Sequence, residues 1–370
     1  MSAQVEVVYV LPVLQLAGAE RIVVELARRL PAHGFRTSVV CLEDERAPAG
    51  AELASAGVPV RGLRLSRRRT LACARDLSRL FTPARPLIVH AHLFHANLAA
   101  RLAYARLEKA ARRGLHILST VHVAERRFRP WQFALDRLTA RYCRVEVCVS
   151  RAVARFQQER TGLPGEYFRV IENGIDLDRF APGTATERSS AAPLVLSIGR
   201  LDPQKDFPTL LRAWRTVNAR LPAARLTIAG EGPQAAGLRA ICAELELRNV
   251  EFPGFVRDVP ALLRESSLYV QPSAWEGFGL SVAEAMACGL PVIVSDADSL
   301  PELVAHERTG LVFPKGREGA LAEAMLRLLQ DHPRAAGLAA AARTEALSRF
   351  SADRMAAEYA GLYREILCAS

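Results

Sequence analysis

The sequence predicts an α/β protein with two doubly wound parallel-sheet domains, and three observations carry that expectation. Short β-branched runs alternate with longer amphipathic stretches through both halves, the rhythm of strands feeding covering helices. A small, polar, proline-containing segment without periodicity, APGTATERSSAA at 181–192, interrupts that rhythm, which then restarts. The length of 370 residues also exceeds what one hydrophobic core usually serves.

In order, the expected strands of the first half are VEVVYVL (5–11), RTSVVCL (36–42), LIVHAH (87–92), HILSTVH (116–122), VEVCVS (145–150) and FRVI (168–171). Their nearly continuous apolar character fits strands buried on both faces. AERIVVELARRLPAHG (19–34) repeats apolar residues every three or four positions and reads as a helix. The second half restarts with LVLSIG (194–199), RLTIAG (225–230), NVEF (249–252), SLYVQP (267–272) and PVIVSD (291–296). The expected domains are therefore residues 1–180 and 193–350. A helix in the final segment, 351–370, is able to pack on either domain, and a return to the first is the course we expect.

Composition narrows the function classes. Seven scattered cysteines form no C-x-x-C pair, which fits a reducing cytoplasm and argues against a zinc or thioredoxin-like site. The amino terminus carries acidic Glu6 and Pro12 where a signal peptide would carry basic and apolar residues, and no run reaches the roughly 18 to 20 apolar residues of a membrane span. A soluble or peripheral protein is expected. Charge is uneven: residues 1–180 hold 29 Lys and Arg against 17 Asp and Glu, and residues 181–370 hold 20 against 22. The densest patches, RGLRLSRRRT (61–70) and RRFR (126–129), lie beside Phe128, Trp131 and Phe133. Two readings stand level, an anionic membrane surface and a merely solvated basic face. Nucleic acid is disfavoured, because no helix-turn-helix, RNP or zinc-finger pattern accompanies the charge.

In open parallel sheets ligands bind beyond the carboxyl ends of the strands. Gly18 lies there after the first strand, where a small-residue loop opening a helix offers N–H groups to an anion or makes an ordinary turn. SIGRLDPQKDFPTLL places Arg200 and Lys205 where the next helix begins, a pair suited to a diphosphate and equally to a solvated loop. In WEGFGLSVAEAMACG, Gly277 and Gly279 permit close backbone approach, and a helix follows from about Leu280 to Cys288. Glu276 and Glu284 flank that loop, so the loop would hold phosphate while the two carboxylates accept sugar hydroxyls. The dinucleotide G-x-G-x-x-G fingerprint is absent. His90, His92 and His95 lack metal-site spacing, and a structural or acceptor-side role is favoured over zinc.

Glu276 and Glu284 together with GRLDPQKDFPTLL, AGEGP, FPGFVRDV and EGFGLSVAEAMACGLPVIVSD resemble glycosyltransferase family 4, retaining enzymes of the GT-B fold with an E-x7-E signature. LAGAER, VHAHLFHANL, STVH, VSRAV and VIENGID extend the resemblance over nearly the whole chain. It implies two Rossmann-like domains facing a central cleft, the first on the acceptor side and the second binding a nucleoside diphosphate sugar. It further implies that Arg200 and Lys205 hold the donor diphosphate in place of a metal, so that no metal and no cofactor are needed. Gly277, Phe278, Gly279 and Leu280 would contribute backbone N–H groups, Glu284 would bind the ribose and Glu276 would sit near the transferred sugar. Gly18 would close over the donor phosphate, His122 would contact the donor sugar, and Asn173, Gly174 and Asp176 would shape the region between the domains. The chain departs from many relatives at Ala17, where they carry a second glycine, and at Val123, where they carry Asp.

The expected reaction moves a hexose to a hydroxyl of an acceptor glycan or glycolipid, in surface polysaccharide biosynthesis at the cytoplasmic leaflet. Three other readings remain: a sugar-nucleotide epimerase of the same architecture, a non-catalytic nucleotide-sugar-binding protein, and an NAD-dependent dehydrogenase, which the missing glycine fingerprint disfavours.

Overall fold

The computed structural model describes residues 5–15, 17–81, 87–183 and 192–369. Most of the expected linker, residues 184–191, lies outside the described residues. The chain divides into two compact units, Met1–Gly174 with Ala352–Ser370, and Ile175–Ser351.

Among the described residues the first unit forms a seven-stranded sheet of β1 (Val5–Leu11), β2 (Phe35–Cys41), β3 (Val60–Gly62), β4 (Leu87–His92), β5 (Leu115–Val121), β6 (Val145–Cys148) and β7 (Phe168–Val170). All neighbours are parallel, in the order β3-β2-β1-β4-β5-β6-β7. The order reverses between β1 and β4, and that is the place where such sheets open a crevice. Apolar residues of both faces are buried, with Val10, Val89, Ala91 and Ile117 packed against Leu77, Ala99 and Ala103 of the covering helices. The expected helix over 19–34 runs as an α-helix only from Gly18 to Arg29 and tightens into a 3-10 turn over Leu30–His33. Pro31 supplies no N–H to continue the α ladder, and Gly34 at φ 88° closes the turn.

The helix Ala352–Cys368 belongs to this first unit. Tyr359 and Tyr363 on its inner face are buried, and the Tyr363 hydroxyl reaches Tyr9 on β1 at 3.2 Å and His90 on β4 at 2.7 Å.

The second unit repeats the plan with β8 (Leu194–Ile198), β9 (Arg225–Ala229), β10 (Val250–Glu251), β11 (Leu268–Gln271), β12 (Val292–Ser295) and β13 (Leu311–Phe313), ordered β10-β9-β8-β11-β12-β13 and parallel throughout. Trp214, Phe207 and Leu210 of the helix Phe207–Arg220 pack on Val195, Ile228 and Val270 of the sheet. Here the reversal falls between β8 and β11, so their following loops, residues 199–206 and 272–279, meet at the crevice.

Candidate active site

In the second unit, the stem of Lys205 lies over Gly199. A Cβ at Gly199 would come within 2.9 Å of Lys205 Cε, so the lysine occupies space that only a glycine leaves. Asp202, itself 3% exposed, folds the loop by accepting the Gln204 N–H at 3.0 Å, and Lys205 N–H bonds the Asp202 carbonyl at 3.1 Å. The Lys205 ammonium ends 2.5 Å from Glu276 Oε2. Both side chains are largely buried, at 15% and 9% exposure, so this pair is shielded from salt and water far more than a surface ion pair.

A relay of side chains fixes Glu276. The Ser273 hydroxyl donates to its Oε2 at 3.1 Å, Gln271 Nε2 donates to Ser273 at 2.8 Å, and the Tyr269 hydroxyl donates to Gln271 Oε1 at 2.7 Å. Burial, with the Glu284 and Glu276 carboxylates nearby, holds the Tyr269 phenol far above its usual range, so it remains a donor. The Glu276 N–H donates to Asp298 Oδ2 at 3.2 Å, from an aspartate held at φ 42°, a left-handed conformation that non-glycine residues rarely adopt. The Ser299 hydroxyl is placed within reach of both the Glu276 and Phe278 carbonyls.

Gly279 caps the helix Leu280–Ala287 at φ 99°, and a Cβ there would stand 3.0 Å from Leu300. That conformation and that space require glycine. The Val282 and Ala283 N–H groups bond the Gly279 carbonyl at 3.0 and 3.1 Å, so the cap closes the first turn of the helix. Phe278 is 2% exposed with its ring edge-on to Phe350, so its side chain anchors the loop while its backbone lines it. Glu284, one turn into the helix, is 5% exposed. Arg200 differs from its expected partner: it is 70% exposed and lies 3.8 Å from Asp202. The structure thus brings Lys205, Glu276, Gly277, Phe278, Gly279 and Leu280 into one neighbourhood and leaves Arg200 at the rim.

In the first unit, Gly18 opens the helix Gly18–Arg29 and is exposed. Glu20 in the same first turn is 3% exposed, and burial pushes its carboxyl up to about 7. Sequence reading passed over Glu20, although an acidic residue in a helix's first turn after a small-residue loop is a legible signal.

His122 follows β5. Its Nε2 lies 2.9 Å from His92 Nδ1, with the two rings stacked at 5.1 Å. His90 uses both nitrogens, toward Tyr363 and toward Thr120 Oγ1 at 2.7 Å. Burial holds these histidines neutral, His90 at about 3 and His122 at about 4, with His92 also well below the usual value. Among the described residues His92 Nε2 has no partner. A buried N–H without an acceptor is rarer and costlier than a bare lone pair, which assigns the His92 proton to Nδ1. His122 Nε2 then accepts it, and His122 carries its own proton on Nδ1. His95, at the start of the helix Phe94–Arg106, is not part of this hydrogen-bonded set. Among the described residues no group of three His, Cys, Asp or Glu has the arrangement of a metal site.

Paired parallel sheets, each with its polar side chains gathered at strand carboxyl ends, define the GT-B class of glycosyltransferases. Residues 185–345 match Glycosyl transferases group 1 and residues 16–179 match Glycosyltransferase Family 4, and the chain belongs to family 4. It is 31% identical over 218 residues to a GDP-mannose-dependent alpha-(1-6)-phosphatidylinositol monomannoside mannosyltransferase of Mycobacterium tuberculosis, covering 54% of this chain and 57% of that one. It is 31% identical over 182 residues to the putative colanic acid biosynthesis glycosyltransferase WcaL of Escherichia coli, covering 46% and 44%. The matches thus span about half the length of these curated relatives. In fold it is similar to Anabaena Alr3699/HepE, solved with UDP and glucose, at TM-score 0.85 and 21% identity over 97% of this chain and 99% of that one. It is also similar to sucrose-phosphate synthase of Thermosynechococcus elongatus, at TM-score 0.81 and 22% identity over 99% and 100%.

Proposed function

We propose that the protein transfers a hexose from a nucleoside diphosphate sugar to a hydroxyl acceptor with retention at the anomeric carbon. The observation that carries this reading is the Lys205–Glu276 pair, held by the Tyr269–Gln271–Ser273 relay beside a glycine-opened helix. A diphosphate at that helix end would compete with Glu276 for Lys205. The lysine is thereby kept in place without a donor, and the carboxylate is released toward the sugar when one arrives. Arg200, exposed at the rim, is available to close on the outer phosphate.

In the reaction, the bond from the anomeric carbon to the diphosphate oxygen breaks and the acceptor oxygen bonds to that carbon. The acceptor proton passes to the leaving phosphate, so no side-chain base is assigned. Charge grows on the diphosphate as it leaves, and Lys205, Arg200 and the helix-end N–H groups favour that state over the bound donor. Glu284 takes the ribose hydroxyls. His122, neutral and protonated at Nδ1, serves as a hydrogen-bond donor to the sugar. No metal is required, because fixed cations do the neutralising.

A lipid-linked glycan acceptor in polysaccharide biosynthesis is the acceptor we favour, supported by the relatives' names and by the arginines at 67–69, 126, 127 and 129. Arg67 lies 3.7 Å from Glu43 and Arg127 lies 2.7 Å from Glu125, which lowers the free positive charge of that face. Among the described residues no helix is long and apolar enough to cross a membrane. Flotation with anionic vesicles at low and high salt tests this surface, and equal binding to neutral vesicles refutes it.

Incubation with a panel of UDP- and GDP-sugars, with and without lipid-linked acceptor, and product identification by mass tests the activity. A hexose gained by the acceptor supports it. Donor conversion without acceptor would support the epimerase reading, and donor binding without turnover the non-catalytic one.

A further inference from the structure

Gln271, the last residue of β11, is fully buried, and its amide meets three side chains. The Tyr269 hydroxyl lies 2.7 Å and the Ser281 hydroxyl 3.2 Å from its Oε1, and its Nε2 lies 2.8 Å from the Ser273 hydroxyl. Ser273 in turn lies 3.1 Å from Glu276 Oε2, the oxygen that also takes the Lys205 ammonium at 2.5 Å. Ser281 stands in the first turn of the helix Leu280–Ala287, so one amide joins that helix to the carboxylate that precedes it.

The direction of every bond in this chain follows from its last member. As a carboxylate paired with an ammonium, Glu276 accepts and has no proton to give, so the Ser273 hydroxyl directs its single proton there. Ser273 then needs a donor on its own oxygen, and the Nε2 side of Gln271 supplies it. Gln271 Oε1 is thereby turned to Tyr269 and Ser281, both of which donate. The Ile198 carbonyl, 3.4 Å from the Tyr269 hydroxyl, is the weaker acceptor for that proton. A reversed amide would set its oxygen against the Ser273 oxygen with no proton between them, at a fully buried position. Tyr269 and Ser281 therefore hold the amide in the orientation that Glu276 requires.

We propose that Gln271 is a positioning residue for the donor sugar, holding Glu276 in place through Ser273 once Lys205 has turned to the diphosphate. The proposal rests on the transferase reading above and adds to it a residue that acts through another. Without a donor, Glu276 Oε2 has two side-chain anchors, the Lys205 ammonium and the Ser273 proton. When a diphosphate takes the lysine, the proton that Gln271 orients is the side-chain anchor left to that oxygen among the described residues. Loss of Gln271 should therefore be felt more with a nucleotide sugar bound than with a nucleotide alone.

The test uses the full chain and needs no acceptor. Calorimetry with UDP, GDP and their hexose derivatives measures what the hexose adds to nucleotide affinity, and thermal unfolding of the free protein measures the network at rest. Gln271→Met should weaken binding of the hexose derivative about ten-fold and leave the parent nucleotide within about two-fold. In a Glu276→Gln background the same substitution should change hexose binding little, because its effect passes through that carboxylate. Tyr269→Phe and Ser281→Ala each leave one donor on Oε1, so each should weaken binding no more than about three-fold. Together they free the amide to turn, and the pair should lose more than the product of the two. That pair carries the test should Gln271→Met fail to fold. Equal losses from Gln271→Met in both backgrounds, or effects of Tyr269→Phe and Ser281→Ala that simply multiply, would mark the amide as merely structural and overturn the proposal. A chain that binds no nucleotide, while Gln271→Met and Glu276→Gln remain non-additive in melting temperature, would instead refute the donor reading and uphold the coupling.

Discussion

The two units share a strand order yet equip their crevices by opposite means. The carboxyl-side unit keeps charge and pairs it, Lys205 against Glu276, inside a relay in which Tyr269, Gln271 and Ser273 each have a partner. The amino-side unit keeps the histidines at its strand ends uncharged and holds its buried ion pairs, Arg101 with Asp136 and Glu146, to one side of them in the hydrogen-bond network. Burial leaves His90 and His122 neutral, although Arg67, Glu125 and Asp136 line the cavity beside His122. A crevice that stores paired charge suits an anionic ligand able to exchange one partner for another. One topology therefore carries two differently equipped crevices, and the difference lies in side chains at strand ends.

The sharpest way to break this contrast is to remove the stored cation. Lys205→Ala should lower turnover by about a hundred- to a thousand-fold, and Arg200→Ala by a comparable factor, with circular dichroism unchanged. Near-normal turnover in both variants would end the phosphate-clamp assignment. Lys205→Ala should also cost stability, because Glu276 is left buried without its partner. The double variant Lys205→Ala with Glu276→Gln should recover that stability and none of the turnover.

A subtler perturbation moves the lysine without deleting it. In Gly199→Ala the new methyl occupies the place of the Lys205 stem, which is flexible and can shift. Turnover should fall by roughly ten- to a hundred-fold while the melting temperature changes little. An unaltered rate would show that the placement of Lys205 over Gly199 is incidental.

Acid should separate the two units. His90, His92, His95, His116 and His122 all have folded values depressed by burial, so the unfolded chain binds more protons as pH falls below about 6.5. Their stabilising effect is present above that pH and is lost progressively toward pH 4 and below, at up to about 1.4 kcal/mol per pH unit for each fully depressed histidine. Glu20 and Glu146, raised to about 7, act in the opposite sense between roughly pH 4.5 and 7, but they are fewer. Hydrogen exchange across that range should show the amino-side unit losing protection first. Uniform loss in both units would contradict the division into neutral and charged crevices. The smallest expected effect is that of excess chelator, which should leave the rate unchanged. A loss reversed by metal would return attention to His90, His92 and His95.

Much of this was legible in the sequence because parallel strands buried on both faces announce themselves as apolar runs. The short strands β3 and β13 were not, since VRG and LVF carry too few residues to show a period. The glycine-opened helix and its two glutamates stood out by spacing, and so did Lys205. Its partner did not, because a separation of 71 positions between Lys205 and Glu276 hides a contact that only the adjacency of β8 and β11 creates. The same holds for Tyr363, which reaches His90 from 273 residues away. His90, His92 and His95 lie close in sequence without metal-site spacing, and their separate placements were not legible there. The fold instead gives His90 to Tyr363 and Thr120, joins His92 to His122, and leaves His95 on the helix.

The chain leaves the first unit at Gly174 and returns to it at Ala352, and the crossing has a particular form. Ile175 N–H bonds the Phe350 carbonyl at 2.8 Å, and Ile175 bridges Ser351 in parallel. The second unit is thus an insertion whose entrance and exit are fastened side by side. Once folded, it replaces a floppy excursion of 177 residues by a short clasp, and the entropy of closing so long a loop no longer opposes the return of the helix Ala352–Cys368. The inserted unit is built from contiguous chain, whereas the surrounding one joins two separate segments. The tyrosine that seats His90 is therefore carried by the segment that follows the inserted unit in the chain.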